Sequence, residues 1–486
     1  MTNGARRLLP GVTIALLVAA WWLSLIVIWP TPIVNVTPPK IIVFASLPLL
    51  LVARFWALFA RFDRLLLGLA GGYLLWLILA AFLRGSALDV KLTMGYAVYF
   101  GGSLLLAYTA GRAQPERAAI ALGIAVLGAL TITVVGVALE RFTYAGQGAT
   151  DPLAGLWGLV RPQGGTFAPG LGPPPLHFAT GDPAVPRISS WFAHANYLAF
   201  FTVLAAGLTA TLLVAALRRG VRRWAVVAAL SLALCVVTMV WTYSRAGLIG
   251  LLAVVAAVVI VDLIREPGAW KSRSSVLLRG APVALVVAVL SVTLLADDVG
   301  LRRLTPLVSD DPVIPGNQAP SIEVSAARSS AIRLAMQLAA LDLGTENPRN
   351  FFFGPGQETY DQAVHDPASP HYVAQGVGII DPNSLWLSLG VSGGVVAPGL
   401  LASLLTVTWI RLLMAVRSMQ IGPRLWMLAW LAAWLPTWAL LQFVGTFPFN
   451  PSEAIILGTL LGAAIAQTGI ALRPHLDKRP APSGQW

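Results

Sequence analysis

Charge is scarce in this chain. Only 11% of its 486 residues are Asp, Glu, Lys or Arg, roughly half the share carried by an ordinary soluble domain. A soluble fold of this length would lack the polar surface needed to cover its core. Cysteine is nearly absent as well. The single thiol, Cys235, sits in an apolar stretch, which excludes an intrachain disulfide and a cysteine-based metal centre. No internal repeat is present beyond the general helical hydropathy. No basic stripe with interleaved aromatics occurs either, so the net charge of +12 does not describe a nucleic-acid surface. It fits a membrane protein whose cytoplasmic segments collect Lys and Arg.

What the sequence has in abundance is apolar length. Hydrophobic residues make up 57% of the chain, gathered in runs of roughly 18 to 25 residues, enough to cross ~30 Å of hydrocarbon as a helix. Such runs fall near 11–29, 41–59, 65–83, 93–111, 118–139, 190–216, 224–242, 246–264, 276–295, 385–410, 425–444 and 453–472. They predict an all-α membrane protein with about twelve transmembrane helices. Arg6 and Arg7 before the first run resemble a signal peptide. Without a small-residue cleavage site, and with further spans following, an uncleaved first helix is expected.

Counting Lys and Arg in alternate segments sets the orientation. With the N-terminus inside, the inner segments hold 21 of the 33 basic residues although they are the shorter ones. The positive-inside rule then puts both termini in the cytoplasm. The expected organisation is helices 1–5 in residues 1–139, an outer loop over 140–189 and helices 6–9 in 190–295. A second outer loop covers 296–384, helices 10–12 lie in 385–472, and 473–486 form a cytoplasmic tail. The first loop is rich in Gly and Pro. In the second, Ala326, Ile332, Leu334, Leu338 and Leu341 recur at three- and four-residue spacing. This predicts one or two amphipathic helices lying against the membrane surface.

Charges at a membrane edge are costly and are candidate functional groups. Four outer arginines stand out: Arg187, Arg245, Arg328 and Arg333. Arg187 leads into Trp191-Phe192-Ala193-His194-Ala195-Asn196, at the mouth of the sixth helix. Arg245 lies in the short outer turn Thr242-Tyr243-Ser244-Arg245-Ala246-Gly247. Each has a plainer role open to it, as an interfacial anchor or a snorkelling side chain capping a helix end. Arg328 and Arg333 lie five residues apart, about 140° around one helix, and alternatively face solvent or headgroups. Together the four suit a phosphate group at the membrane surface, because guanidinium forks bind phosphate oxygens bidentately and keep their charge.

These residues resemble the O-antigen ligase and polymerase family of bacterial membrane proteins. Arg187, Phe192, His194, Asn196 and Ala199 match its first motif, and Tyr243-Ser244-Arg245-Ala246-Gly247 its next. An Arg-bearing outer helix follows, then Asn350-Phe-Phe-Phe-Gly354-Pro-Gly356. Asp381-Pro382-Asn383-Ser384-Leu-Trp-Leu with Gly390, Gly393 and Gly394 completes the order. The matched block spans roughly 187–400; the N-terminal helices match only as hydrophobic segments.

The resemblance implies a GT-C-like membrane glycosyltransferase in the bacterial plasma (inner) membrane, working on its outer face. The implied donor is a glycan on undecaprenyl pyrophosphate, and the acceptor hydroxyl belongs to a lipid, a glycan or a protein. No cofactor and no metal are implied, and no nucleic-acid partner. Arg187, Arg245, Arg328 and Arg333 would hold the pyrophosphate, with Asn196, Asn383 and Tyr243 as further substrate contacts.

The sequence departs from the family at one place: Pro382 stands where a histidine is common, and proline accepts no proton. Asp381, His371 (or its neighbour His365) and His194 are the candidate bases that remain, with Asp381 alternatively capping the following helix. Acidic residues of the second loop (Asp297, Asp298, Asp310, Asp311, Asp361, Asp366) offer hard ligands for a divalent cation but lack a recurring Asp-x-Asp spacing. Glu358 is a lesser candidate for substrate contact. The competing readings are a polytopic lipid or glycan transporter or flippase, which would need polar groups near helix midpoints, and a membrane scaffold that captures an outer-face partner.

Overall fold

The computed structural model describes residues 29–30, 35–36, 63–144, 195–266, 273–295, 322–373, 382, 384–443 and 451–476. Apart from a two-residue antiparallel pairing of Trp29–Pro30 with Asn35–Val36, their regular structure is helical. The helices are α1 (Arg64–Arg84), α2 (Ala87–Ala113), α3 (Pro115–Tyr144), α4 (Ala195–Arg218), α5 (Arg222–Trp241), α6 (Arg245–Arg265) and α7 (Arg273–Leu295). Then follow α8 (Ile322–Thr345), α9 (Pro348–Phe353), α10 (Gln357–His365), α11 (Leu385–Gly393), α12 (Val396–Ser418), α13 (Pro423–Leu441) and α14 (Pro451–Leu476).

Among the described residues, eight helices are long and apolar enough to cross a membrane: α1 to α6, α12 and α14. The chain is a multi-pass membrane protein. Of the twelve apolar runs, those near 11–29 (but for Trp29) and 41–59 lie outside the described residues, as does most of the loop expected over 140–189. The runs near 276–295 and 425–444 become α7 and α13. The run over 385–410 is not one helix. It breaks at Gly394, whose φ of 62° turns the chain between α11 and α12 in a conformation that suits glycine.

Helix association in lipid depends on close packing, because lipid tails are as apolar as leucine. The α2–α14 pair shows how this chain achieves it. Gly458, Gly462 and Ala466 recur every four residues along one face of α14. A Cβ at Gly462 would run into the Leu104 carbonyl of α2, and one at Gly458 into Ser103 and the Phe100 carbonyl. The two backbones therefore touch. Gln467 ties the end of this contact by donating to the Pro115 carbonyl at 2.7 Å. At the centre of the bundle stands α4, 94% of whose apolar window is buried. It packs on α5, α6 and α13, and the Trp430 indole donates to the Leu204 carbonyl at 3.1 Å.

Charges do enter the bundle, near its ends. Asp63 is fully buried; it accepts from the Tyr108 hydroxyl at 2.8 Å and pairs with Arg112 at 3.2 Å. Arg411 lies 4.0 Å from the same carboxylate.

The region between α7 and α11 builds a second, smaller core. Met336, Ala339, Ala340 and Leu343 of α8 close over Tyr360 and Val364 of α10 and Val391 of α11. This core takes one face of α8. A helix forms where the three- and four-residue spacing predicted one, but Leu334, Leu338 and Leu341 lie on its exposed side, each about half accessible. The buried stripe is the neighbouring one. Alanines supply half of that stripe, which is why the leucines drew the eye in the sequence.

Candidate active site

Three elements converge at the end of the bundle where α6 begins. The first is the turn between α5 and α6. Thr242 Oγ1 donates to the Met239 carbonyl at 2.7 Å and accepts from the Ser244 amide at 3.2 Å. Tyr243 follows with a φ of 50°, the one positive value for a non-glycine residue among those described, and its side chain is buried. Ser244 then caps α6, accepting from the Gly247 amide at 3.2 Å. Arg245 is thereby fixed as the first residue of α6, half-buried at the rim.

The second element is α4. A Cβ at Gly247 would fall 2.5 Å from Met239 Sδ and 2.7 Å from Ala199 Cβ. The glycine of the turn thus lets α6 close on the first turns of α4, bringing half-buried Asn196 to the same end. Gly247→Ala is expected to force these helices apart and lower stability by about 1–3 kcal/mol, the usual result of overpacking. A thermal unfolding midpoint equal to wild type would refute this.

The third element is α8. Gln337 Nε2 donates to the Phe443 carbonyl, just past α13, at 3.4 Å. Leu441 of α13 in turn packs against Gly250 of α6, where a Cβ would approach it to 2.5 Å. Arg333 lies one helical turn before Gln337 and shares its face. The result is that Arg333 comes within electrostatic reach of Arg245. Burial, and then the Arg245 charge, lower the pKa of the Arg333 guanidinium from its usual value. An arginine so placed keeps its proton at physiological pH, so both groups are positively charged at this rim.

The strand of chain leading to α11 ends at the same place. The Leu385 amide and the Ser384 hydroxyl both donate to the Gln442 carbonyl, at 2.9 and 3.2 Å. Ser384 occupies the N-cap position of α11 without a side-chain capping bond, its hydroxyl being turned to Gln442. Residues 230–402 match the O-antigen ligase family.

The matched region runs from within α5 to within α12 and contains Tyr243, Arg245, Arg333 and the Ser384 strand. The family match supports glycan transfer at a membrane as the chain's general activity. No curated protein matches the chain.

The remaining expected site residues divide clearly. Arg187, His194, Asp381 and Asn383 lie outside the described residues. Arg328 falls within α8, with its side chain outside them. His371 is brought elsewhere: its Nδ1 lies 4.0 Å from Asp342 of α8, nine residues or ~13 Å along the helix from Arg333. His365 is held by Asp361 at 2.9 Å. Asp366 accepts from the Ala368 amide at 2.9 Å. Glu358 accepts from Ser86 Oγ at 2.5 Å, a contact within the protein.

That last bond belongs to a feature the sequence reading missed, a clamp between the α1–α2 turn and the Gly354-Pro355-Gly356 loop. Arg84 Nε donates to Asp89 Oδ2 at 2.8 Å, and its Nη1 to the carbonyls of Phe353 and Ser392 at 2.6 and 2.8 Å. Asp89 Oδ1 accepts from the Gln357 amide at 2.9 Å. Gly356 has φ 98°, and any Cβ there would strike the Asp89–Arg84 pair. Trp76 stacks on Phe353 at 5.1 Å and donates to the Gly393 carbonyl at 2.8 Å. The glycines of this motif thus serve to seat the loop on the bundle. The signal available in the sequence was Arg84-Gly85-Ser86…Asp89, opposite charges flanking a short turn at a membrane edge.

Proposed function

We propose that the protein is a membrane glycosyltransferase that moves a glycan from undecaprenyl pyrophosphate to an acceptor hydroxyl, as an O-antigen ligase or a polysaccharide polymerase. In this reading it works at the outer face of the bacterial plasma membrane, with both termini cytoplasmic. The observation that carries it is the convergence of Arg245 and Arg333, from separate parts of the chain, within electrostatic reach of each other at one rim of the bundle.

Two guanidiniums held this way present donors to a diphosphate before it arrives. Such preorganised positive charge acts most strongly on the leaving group as the glycosyl bond breaks and negative charge grows on the pyrophosphate. Arg187 and Arg328 are the proposed further pyrophosphate ligands, and Tyr243, Asn196 and Asn383 the proposed contacts that hold donor and acceptor side by side. The acceptor hydroxyl must lose its proton as it attacks. Asp381 is the first choice for that base, since the adjoining Ser384 strand ends beside Gln442 and Phe443, where Gln337 of α8 also arrives. His194 is the second choice. His371 recedes, as its place beside Asp342 lies two and a half turns from Arg333.

The test is transfer from a defined polyprenyl-pyrophosphate glycan to candidate acceptors by protein reconstituted in liposomes. Asp381→Asn is expected to slow transfer by about 10²–10⁴-fold, the usual contribution of general-base catalysis, with donor binding retained. Wild-type rates in that variant would move the base to His194. No turnover of any polyprenyl-linked donor by the wild type would remove the transferase reading.

A further inference from the structure

At the end of the bundle opposite Arg245, helices α4, α6 and α13 leave a narrow cleft of about 80 Å³ that opens to the surface. Its walls are apolar, formed by residues such as Val214, Val258, Leu425 and Ala429. Its mouth is charged, with Arg218, Arg219, Arg265 and Asp262 around it. The cleft is far from the candidate active site, because Arg245 and Arg265 are the first and last residues of the 21-residue helix α6, ~30 Å apart.

The acids at the mouth are already engaged. Asp262 Oδ2 accepts from Arg218 Nη2 at 2.6 Å and from Arg279 Nε at 2.8 Å. Glu266 Oε1 accepts from Arg218 Nη1 at 2.8 Å and lies 3.7 Å from Arg265. Two carboxylates therefore face four guanidiniums, and the mouth stays net positive. Arg219 lies over the Trp426 ring at 4.5 Å. Stacking fixes the plane of the guanidinium while leaving its edge donors free to meet an oxyanion. Arg279 is 97% buried by side chain, and its two terminal nitrogens have no hydrogen-bond partner.

An apolar slot under a cationic mouth between transmembrane helices suits a molecule with the same two parts. A free anion would use the mouth and leave the slot unexplained; an uncharged lipid would do the reverse. We propose that this cleft is a binding site for an anionic phospholipid, with the headgroup phosphate held by Arg219 and Arg265 and an acyl chain lying along Val214, Val258 and Leu425. The concentration of basic residues at this end, including Arg222 and Arg223, assigns it to the cytoplasmic leaflet.

The full chain, purified in detergent, is titrated with phosphatidylglycerol, phosphatidylcholine and inorganic phosphate, and bound lipid is read by native mass spectrometry. Wild type is expected to retain phosphatidylglycerol well above phosphatidylcholine. The double variant Arg219→Ala/Arg265→Ala should weaken that retention roughly 25-fold, at about fivefold for each arginine near an anionic headgroup. Ala429→Phe, which fills the slot and leaves the charges, should weaken it as well, and it carries the test should the double variant fail to accumulate. Equal retention of the two lipids, undiminished retention in either variant, or displacement of the lipid by equimolar inorganic phosphate would each overturn the proposal.

Discussion

Replacing Arg245 with alanine is expected to lower glycan transfer by about 10²–10³-fold, the range seen when one preorganised donor is removed from an oxyanion site. The protein should still accumulate in the membrane at the wild-type level. Three features of the structure predict this separation of activity from folding. The turn that carries Arg245 is built by backbone and hydroxyl groups of Thr242, Tyr243 and Ser244, none of which the substitution touches. The guanidinium itself is half-buried at the rim and stands outside the hydrophobic core. Its neighbour Arg333 carries the same charge, so truncation takes away a like charge and not the counter-charge of that residue. Arg245→Lys is expected to recover part of the rate, since a lysine restores charge without the bidentate fork. If Arg245→Ala and Arg333→Ala both transfer at the wild-type rate, pyrophosphate is not held at this rim.

Asp89→Ala is expected to be the most destabilising single change outside the bundle core, by about 3–5 kcal/mol, because it leaves a buried guanidinium without its counter-charge. The Arg84 and Asp89 side chains are 7% and 2% exposed, so water cannot easily replace the lost carboxylate. The same change strands the Gln357 amide, which donates to Asp89. The thermal unfolding midpoint reports the loss of stability. Transfer activity should fall as well, through loss of the seat for the Gly354-Pro355-Gly356 loop. Arg84→Met/Asp89→Leu, which removes both charges together, should recover much of the stability. A double variant no more stable than Asp89→Ala would mean that packing and not charge pairing governs this joint.

The bundle was largely legible in the sequence because the bilayer imposes one rule, an apolar run of spanning length, and this chain obeys it. Each apolar run that falls on described residues became helix. What hydropathy averages away was harder to read. The break at Gly394 sits inside a single apolar run, and the backbone dihedral reveals it. On α8 the buried stripe is half alanine, so it stood out less in the sequence than the leucines of the exposed face. At the site, Arg245 stood out because a charge in a short outer turn between two apolar runs stays close to the membrane edge. Its meeting with Arg333 was not legible, since it depends on Gln337, Phe443, Leu441 and Gly250 relaying contact across three helices. The Arg84–Asp89 clamp was missed for a related reason. Each partner alone resembles an ordinary helix-end charge, and only the fold shows that both are buried under a loop more than 260 residues away.

The contact between α2 and α14 has a consequence for biogenesis. Gly462 meets the Leu104 carbonyl across 358 residues of chain, so at ~5–20 residues per second α2 waits about 20–70 s for its partner to be made. During that interval the groove that receives Gly458 and Gly462 faces lipid or the insertion machinery. This backbone-to-backbone joint is thus closed late in synthesis, and a ribosome stalled before α14 leaves a protein with that seam still open.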